Sequence, residues 1–154
     1  MASAYQFRSH NVRNSYIRHR DFLGELTTLR TDLDKEDSLF KIVALSRVRN
    51  EVGLESVNYP KWYLRHQDFR IKLQEPAGLN DKVFWEAATF IQDPGLADPT
   101  GVSFRSVNPP DLYIRHRDFH LFVEPVDSPQ SYADATFYQT LPSVRIDPDF
   151  VDPD

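Results

Sequence analysis

The sequence predicts an all-β chain built from three related units. The heptapeptide YIRHRDF at residues 16–22 recurs letter for letter at residues 113–119, and it recurs as YLRHQDF at residues 63–69. Around these motifs, stretches rich in Val, Ile, Tyr and Phe alternate with clusters of Asn, Pro, Asp and Ser. Such a pattern is typical of short strands separated by turns. The repeat defines the architecture, and the strand chemistry excludes a helical solenoid.

The similarity between the units extends well beyond the heptapeptide. At fixed offsets from the central histidines His19, His66 and His116, every unit carries a serine, an asparagine and a phenylalanine. So many coincidences indicate that one unit has been triplicated. The serines are Ser9, Ser56 and Ser106, the asparagines are Asn11, Asn58 and Asn108, and the phenylalanines are Phe22, Phe69 and Phe119.

Each unit divides into four predicted strands. In the third unit they are VSFRSV, LYIRH, HLFVEP and ATFYQTL, with the polar loop DSPQSY before the last one. Only residues 33–45 leave room for one short helix. Three units of four strands predict a β-trefoil with pseudo-threefold repeats, because a propeller of similar period needs at least four blades to close. In the second unit we expect the core to include Leu54, Leu64, Leu73 and Phe90.

The whole chain, residues 1–154, is predicted to be a single domain. We place the repeats at about 5–49, 50–101 and 102–146, followed by an acidic tail at 147–154. A closed arrangement of strands has no long open edge through which copies of the chain would pair. A monomer is therefore the expected state.

The composition excludes several classes of partner. The net charge of -5 and the pI of about 5.5 leave no basic surface for nucleic acid or an anionic membrane. The chain has no cysteine, which excludes disulfides and thiolate metal sites. Its histidines lack a metal-ligand spacing such as HExxH, so we expect no metal and no cofactor. The compartment stays open: secreted if a leader or a parent enzyme is missing from this sequence, and cytoplasmic otherwise.

The repeated histidine has two interpretations. It is either an architectural residue that bonds to the backbone, or a binding residue that works with a carboxylate. An aspartate precedes the closing phenylalanine in the first and third units as Asp37 and Asp134, but the second unit has Ala87 in that slot. A residue needed for closure should survive in all three units, so this loss favours binding. Imidazole and carboxylate together suit the hydroxyl array of a sugar.

Together these elements resemble the AbfB domain, also called carbohydrate-binding module family 42. The resemblance rests on the Ser-x-Asn, Tyr-Ile/Leu-Arg-His-x-Asp-Phe and Asp-Ala-Thr-Phe elements, and it covers residues 7–141. It implies a β-trefoil with one shallow pocket per unit, which recognises arabinofuranose side branches of plant polysaccharides such as arabinoxylan or arabinan. Such domains are commonly attached to arabinofuranosidases. On this basis we expect a non-catalytic module that binds a glycan.

The same resemblance implies a histidine–aspartate pocket in individual units. His116 with Asp134 is the first candidate, and His19 with Asp37 is the second. His66 lacks its partner, because Ala87 occupies the aspartate's slot. Its neighbour Glu86 should point to the opposite face if this stretch is a strand. We therefore expect two working pockets and a weak one at His66.

Further residues near these pockets have a structural and a binding interpretation. The asparagines before each motif stand where turns favour Asn, so we assign them to turns, although an amide can also reach a hydroxyl. Exposed aromatic rings either pack against the protein or stack on a sugar. The aromatic candidates are Tyr59, Trp62, Trp85 and Tyr132.

Two alternatives remain beside arabinofuranose recognition. One is a lectin of different sugar specificity. The other is a protein-binding β-trefoil, an inhibitor or scaffold, with the loop at 93–101 and the tail at 147–154 as contact surfaces. Catalysis is not expected, because glycoside hydrolysis requires two carboxylates across the scissile bond, and each predicted pocket offers one.

Overall fold

The computed structural model of the chain describes residues 3–142, which form twelve strands and three short helices. The same order of elements recurs three times: three strands, a helix and a fourth strand. Lobe 1 (residues 4–44) contains β1 (Ala4–Ser9), β2 (Tyr16–Arg20), β3 (Leu23–Thr27), α1 (Asp32–Asp37) and β4 (Phe40–Ala44). Lobe 2 (51–94) contains β5 (Glu51–Ser56), β6 (Tyr63–Gln67), β7 (Arg70–Gln74), α2 (Lys82–Ala88) and β8 (Phe90–Pro94). Lobe 3 (102–140) contains β9 (Val102–Ser106), β10 (Tyr113–Arg117), β11 (His120–Glu124), α3 (Pro129–Asp134) and β12 (Phe137–Thr140).

Six strands, the first and the fourth of each lobe, close into a ring by antiparallel pairing. Around this ring β1 pairs with β4 and β12, β5 pairs with β4 and β8, and β9 pairs with β8 and β12. The other six strands form the hairpins β2–β3, β6–β7 and β10–β11. These hairpins join one another through the pairs β3–β7, β7–β11 and β11–β3. The all-β prediction is confirmed.

The Asp-Phe pair of the repeated heptapeptide forms the turn of each hairpin. In lobe 1, Asp21 and Phe22 have φ of 54° and 61°, and the equivalent residues of the other two lobes have φ between 52° and 66°. Positive φ at both central residues gives the primed turn, whose twist matches that of the hairpin strands. The carbonyl of Phe22 accepts the N–H of Leu73 in lobe 2 at 2.9 Å. Equivalent bonds from Val123 to Phe69 and from Leu26 to Phe119 complete the cycle.

The core lies inside the ring and beneath the hairpins. Alternation along each strand places one apolar side chain after another on the inner face. Phe7 and Phe104 meet edge to face, with ring centroids 5.4 Å apart. The four core residues predicted for the second unit are all fully buried, as expected: Leu54, Leu64, Leu73 and Phe90.

The three helices were only partly foreseen from the sequence. The ambiguous stretch at 33–45 overlaps α1, but α2 and α3 lie in segments predicted to be loop or strand. Each helix is six or seven residues long and begins at a capping side chain. The hydroxyls of Thr31 and Ser128 and the carboxylate of Asp81 accept the N–H of the residue three positions on. A local cap, rather than a long amphipathic pattern, therefore defines these helices.

The two surfaces suggested for a protein partner differ in what the structure describes. The loop at 93–101 is closed on itself, since the N–H of Gly95 donates to the carbonyl of Gly101 at 2.9 Å. The acidic tail at 147–154 and the end of the third repeat lie outside the described residues. Between residues 3 and 142, no helix has the length and apolar character needed to span a membrane.

Candidate functional site

In lobe 3, three polar side chains from two lobes meet. His116 lies on β10, Asp134 ends α3, and Asn11 follows β1 of lobe 1. The amide nitrogen Nδ2 of Asn11 donates to Oδ1 of Asp134 at 2.7 Å, and Oδ1 of Asn11 lies 2.7 Å from Nε2 of His116. Nε2 of His116 is 3.5 Å from the same carboxylate oxygen. The structure thus brings the predicted pair together and adds an asparagine from the neighbouring lobe.

The hydrogen bonds of this cluster determine which nitrogen of His116 carries the proton. A carboxylate only accepts, so the amide of Asn11 must turn its Nδ2 toward Asp134. Its Oδ1 then faces the imidazole and accepts from Nε2–H. The remaining nitrogen, Nδ1, keeps its lone pair in the neutral ring and has no hydrogen bond within residues 3–142. The imidazole is therefore oriented as an acceptor for one further donor.

The surroundings of His116 favour its neutral form. Burial lowers the pKa of His116; Asp134 acts in the opposite direction, and Arg115 lowers it further. Because the ordinary pKa of histidine is about 6.5, the ring is neutral at pH 7. His116 is 7% exposed and Asp134 is 4% exposed, whereas Asn11 is exposed. A ligand would therefore reach the cluster through the amide and the edge of the imidazole.

Arg115 and Gln130 hold the carboxylate of Asp134 in place. Nη2 of Arg115 donates to Oδ2 of Asp134 in a short contact, and Nε2 of Gln130 donates to Oδ1 at 3.0 Å. Arg115 also lies 3.7 Å from Glu124. A buried carboxylate is tolerated only when it is paired and hydrogen-bonded, and these contacts satisfy that requirement. The Tyr-Ile-Arg-His sequence therefore supplies both the imidazole and the cation that holds its carboxylate partner.

Lobe 1 repeats this arrangement with the asparagine of lobe 2. Oδ1 of Asn58 lies 2.8 Å from Nε2 of His19, and Nδ2 of Asn58 donates to Asp37 at 2.8 Å. Nε2 of His19 is 3.6 Å from Oδ1 of Asp37. Arg18 pairs with Asp37 at 2.5 Å and also with Asp34 at 2.7 Å. The same reasoning gives His19 the same tautomer.

The lobe 1 cluster lies beside an aromatic wall that Phe22 of lobe 1 forms with Tyr59 and Trp62 of lobe 2. The ring of Tyr59 lies edge-on to His19 with centroids 5.3 Å apart, and it also contacts Phe22 and Trp62 at 5.5 and 5.7 Å. Phe22 and Tyr59 are 46% and 38% exposed, so the wall presents apolar surface next to the cluster. The position after the asparagine is Val12 for the lobe 3 cluster. The two clusters share their polar groups and differ in their apolar surroundings.

At lobe 2 the histidine His66 again meets the asparagine of the next lobe, Asn108, but the hydrogen bonds between them differ. Nε2 of His66 bonds to the backbone carbonyl of Asn108 at 2.8 Å, and burial lowers the pKa of His66. The Nδ2 of Asn108 donates to Oε2 of Glu86 at 2.9 Å. The expectation that Glu86 faces away is wrong, because residues 82–88 form a helix, in which neighbouring side chains do not alternate between two faces. Ala87 is buried in the slot of the aspartate.

Arg65, the arginine of lobe 2, contacts other groups in place of the missing carboxylate. Nη1 of Arg65 donates to Gln74 at 3.2 Å, and its guanidinium lies over the ring of Phe84, 5.4 Å from the centroid. In lobes 1 and 3 the equivalent arginines each contact two acidic side chains. The pKa of Arg65 is lowered mainly by burial. Lobe 2 is thus internally consistent without an aspartate.

The contribution of the asparagines was the main feature that sequence reasoning missed. They do sit in turns, as assigned, and the hydroxyl of Ser9 accepts the N–H of Val12 at 3.0 Å in the turn that holds Asn11. Their side chains also complete the cluster of the preceding lobe. The fixed offset between serine, asparagine and histidine was a signal of a shared role, but the offset does not reveal that the contact lies between lobes.

The four candidate aromatic residues lie in lobes 2 and 3. Tyr59 and Trp62 belong to the wall beside His19. Trp85 of α2 packs edge-on against Tyr63 and Phe84, while Tyr132 of α3 is 37% exposed. Among residues 3–142 there is no group of three or more His, Asp or Glu side chains placed to hold a metal ion.

The repeated sequence that builds these clusters matches a known family. Residues 5–139 match the family described as the alpha-L-arabinofuranosidase B (ABFB) domain, AbfB. The chain belongs to the AbfB family. The resemblance drawn from the repeated motifs is thereby confirmed. Among proteins with curated functions, no significant relative of this AbfB chain is found.

Solved structures share the fold of this AbfB domain. An arabinofuranosidase complexed with arabinofuranosyl-alpha-1,2-xylobiose is 24% identical, with a TM-score of 0.80 over 92% of this chain and 31% of the other. The β-trefoil BEL is 13% identical, with a TM-score of 0.68 over 90% and 92% of the two chains. A lectin of Polyporus squamosus bound to Neu5Aca2-6Galb1-4GlcNAc is 9% identical, with a TM-score of 0.69 over 90% and 48%. This AbfB chain spans about a third of the length of the arabinofuranosidase structures that it matches.

Proposed function

We propose that this AbfB domain is a β-trefoil module that binds carbohydrate without catalysis and recognises arabinofuranose side branches of plant polysaccharides such as arabinoxylan or arabinan. Lobes 1 and 3 carry the two equivalent pockets, at His19 with Asp37 and at His116 with Asp134. Family membership and the likeness to an arabinofuranosidase structure containing an arabinofuranosyl ligand support this proposal. By analogy with such enzymes, the natural protein is an accessory module of a hydrolase.

The observation that carries the proposal is the asparagine-linked pair of imidazole and carboxylate in lobes 1 and 3. Asn58 and Asn11 bridge these groups at hydrogen-bond distances of 2.7–2.8 Å. Each cluster offers a furanose an acceptor, Nδ1 of the histidine, and further amide and carboxylate groups within a few ångströms. Sugar hydroxyls both donate and accept, so a mixed array of this kind suits them. The rigid network fixes these groups before the ligand arrives, which lowers the entropic cost of binding.

The strength of binding should depend on polymer engagement. Each hydrogen bond to a well-hydrated hydroxyl contributes about 1 kcal/mol net, so one pocket should bind a single furanose with a Kd of about 0.1–1 mM. Two pockets on one rigid body can engage two branches of one polymer. The effective concentration of the second branch then raises the apparent affinity about 100-fold. Polymers should therefore bind much more tightly than the free sugar.

The decisive experiment is affinity gel electrophoresis with branched arabinan, arabinoxylan and debranched xylan. The matched variant is Asp37→Asn with Asp134→Asn, which preserves side-chain size. In this variant the charged arginines retain the amide oxygens, so each new NH2 faces the bridging asparagine and reverses its orientation. The imidazole must then accept at Nε2 and carry its proton on Nδ1. We expect strong retention of the native chain by the two branched polymers and at least a 10-fold loss in the variant. Retention by debranched xylan alone, or by no polymer, would contradict the proposal.

A further inference from the structure

We infer that lobe 2 carries a separate site for a linear, neutral oligosaccharide, centred on Trp85 and Glu86, rather than a weakened copy of the pockets in lobes 1 and 3. This inference deepens the proposed function, on which it rests. A groove of 740 Å³ runs beside α2. Its apolar surface includes Leu45, Trp85 and Val107, and its polar groups include Glu51, Lys82 and Glu86.

Glu86 connects this groove to the cluster of lobe 2. It lines the groove, accepts from Nδ2 of Asn108 at 2.9 Å, and lies 3.8 Å from Lys82 on the same helix. Asn108 in turn accepts from His66 through its backbone carbonyl. The groove therefore continues from the position where lobes 1 and 3 hold their histidine clusters. The site of lobe 2 thus combines Ala87 in the slot of the aspartate with a groove reached through Glu86.

Trp85 is held as a fixed platform at the edge of the groove. Its indole Nε1–H donates to the carbonyl of Gly78 at 3.1 Å, and its ring lies edge-on to both Tyr63 and Phe84, at 5.2 and 5.3 Å. These contacts fix the orientation of the indole. A rigid aromatic ring that stays partly exposed is suited to the apolar face of a sugar ring. Tyr132 holds the equivalent position on α3, two residues before Asp134, as Trp85 stands two residues before Ala87.

Size and charge favour a linear neutral oligosaccharide as the occupant. The groove is in the range of sites that bind ligands of several rings, and it is larger than a single pentose requires. The lining contains the carboxylates of Glu51 and Glu86 and the ammonium of Lys82, so its charged groups sum to a single negative charge, which disfavours an acidic polysaccharide. Apolar surface flanked by carboxylate, amine and amide groups matches the alternating CH faces and hydroxyls of an unbranched sugar chain.

The test is a titration of the full chain with linear xylohexaose, followed by 1H–15N NMR. The chain has two tryptophans and therefore two indole N–H signals, and the signal of Trp85 is the one that disappears in Trp85→Phe. We expect a saturable shift of this signal with a Kd of about 0.1–1 mM. Calorimetry should show a loss of affinity of about 10-fold or more in Trp85→Ala, and no change in the matched control Tyr132→Ala.

The outcomes separate this inference from the proposed function. Xylohexaose binding that survives Asp37→Asn with Asp134→Asn, and is lost in Trp85→Ala, supports a separate site. Retention on branched arabinan without any response to xylohexaose overturns the inference and leaves the proposed function standing. A response to xylohexaose without retention on branched arabinan overturns the proposed function instead. Equal binding of xylohexaose by native protein and Trp85→Ala also overturns the inference.

Discussion

Lobe 3 has Asp134 at the position where lobe 2 has Ala87, and several contacts around this position differ between the two lobes. In lobe 3 the carboxylate satisfies Arg115 and Asn11 together. In lobe 2 these two functions are divided, because Gln74 and the ring of Phe84 take the arginine and Glu86 takes the asparagine. A guanidinium at this depth needs a partner in either case. The comparison teaches that the arginine and the asparagine at lobe 2 are not left unpaired by the missing carboxylate, because other side chains contact them.

The largest effect should come from forcing lobe 3 into the composition of lobe 2. Asp134→Ala leaves Arg115 with Glu124 as its remaining carboxylate and leaves the amide of Asn11 without its acceptor. We expect the free energy of unfolding to fall by about 2–3 kcal/mol, measured by urea denaturation. A loss below about 0.5 kcal/mol would show that the paired carboxylate is not structural.

The next effect tests the contact between lobes. Asn11→Ala lies in lobe 1, yet it should weaken the site of lobe 3, because its amide bridges His116 and Asp134. Binding of a monovalent arabinofuranoside at His116 should fall about 10-fold, as followed by the NMR signals of the imidazole. Asn58→Ala should do the same at His19 and leave His116 unchanged. A loss at the lobe that carries the mutation, instead of its neighbour, would refute the bridging role.

A gain-of-function variant sharpens the comparison from the other side. Ala87→Asp restores the carboxylate on α2, in the lobe that already holds His66 and Arg65 and close to Asn108 of lobe 3. We expect a third arabinofuranose site, seen as an increase from two to three in the calorimetric stoichiometry with a monovalent ligand. Ala87→Asn, which has the same size without the charge, is the control. If both variants leave the stoichiometry at two, the backbone of lobe 2 has diverged too far for one residue to restore the site.

The smallest effect concerns pH. Burial lowers the pKa of His116 and of His66 below the ordinary value, so both imidazoles are neutral in the folded protein at pH 7. The unfolded chain takes up protons first as the pH falls below about 6.5, so the stability due to the neutral rings is present above that pH and is lost below it. The slope should not exceed about 1.4 kcal/mol per pH unit for each histidine. Urea denaturation from pH 7.5 to 5, with His116→Gln as the reference, measures it.

The affinity for the ligand should also decrease as the pH falls. Protonation of Nδ1 removes the acceptor on His116 and places a second positive charge beside Arg115. Affinity for branched arabinan should therefore be constant between pH 7 and 8 and should decline only below the ordinary histidine pKa of about 6.5. An affinity that rises on acidification would assign the ligand to the protonated imidazole.

Much of the fold was predictable because it depends on local pattern. Alternation and turn chemistry identify the strands, and the repeat identifies their grouping, so residues such as Leu54 and Phe90 were recognised as core. The helices α2 and α3 were missed because six or seven residues cannot display a helical period. The predicted orientation of Glu86 was wrong for the same reason, because it assumed a strand where α2 forms.

The candidate site was predictable only in part. The repeat reveals His116 and Asp134 as a pair, since both are positioned by their own lobe. The bridging amide of Asn11 comes from the other end of the chain, and no periodicity within a unit predicts which lobe it will contact. The contacts of Arg65 could not be predicted from the sequence either, because they depend on how Gln74 and Phe84 pack around it.

The position of Asn11 has a consequence for the chain ends. Asn11 follows the first strand and Asp134 precedes the last, and those strands, β1 and β12, form the seam at which the ring of strands closes. A ligand bound at this junction would stabilise the pairing of β1 with β12, because its binding groups come together only while the two strands are paired. Occupancy should therefore slow hydrogen exchange along β1 and β12 more than elsewhere. The domain should therefore be most resistant to fraying and to proteases while its ligand is bound.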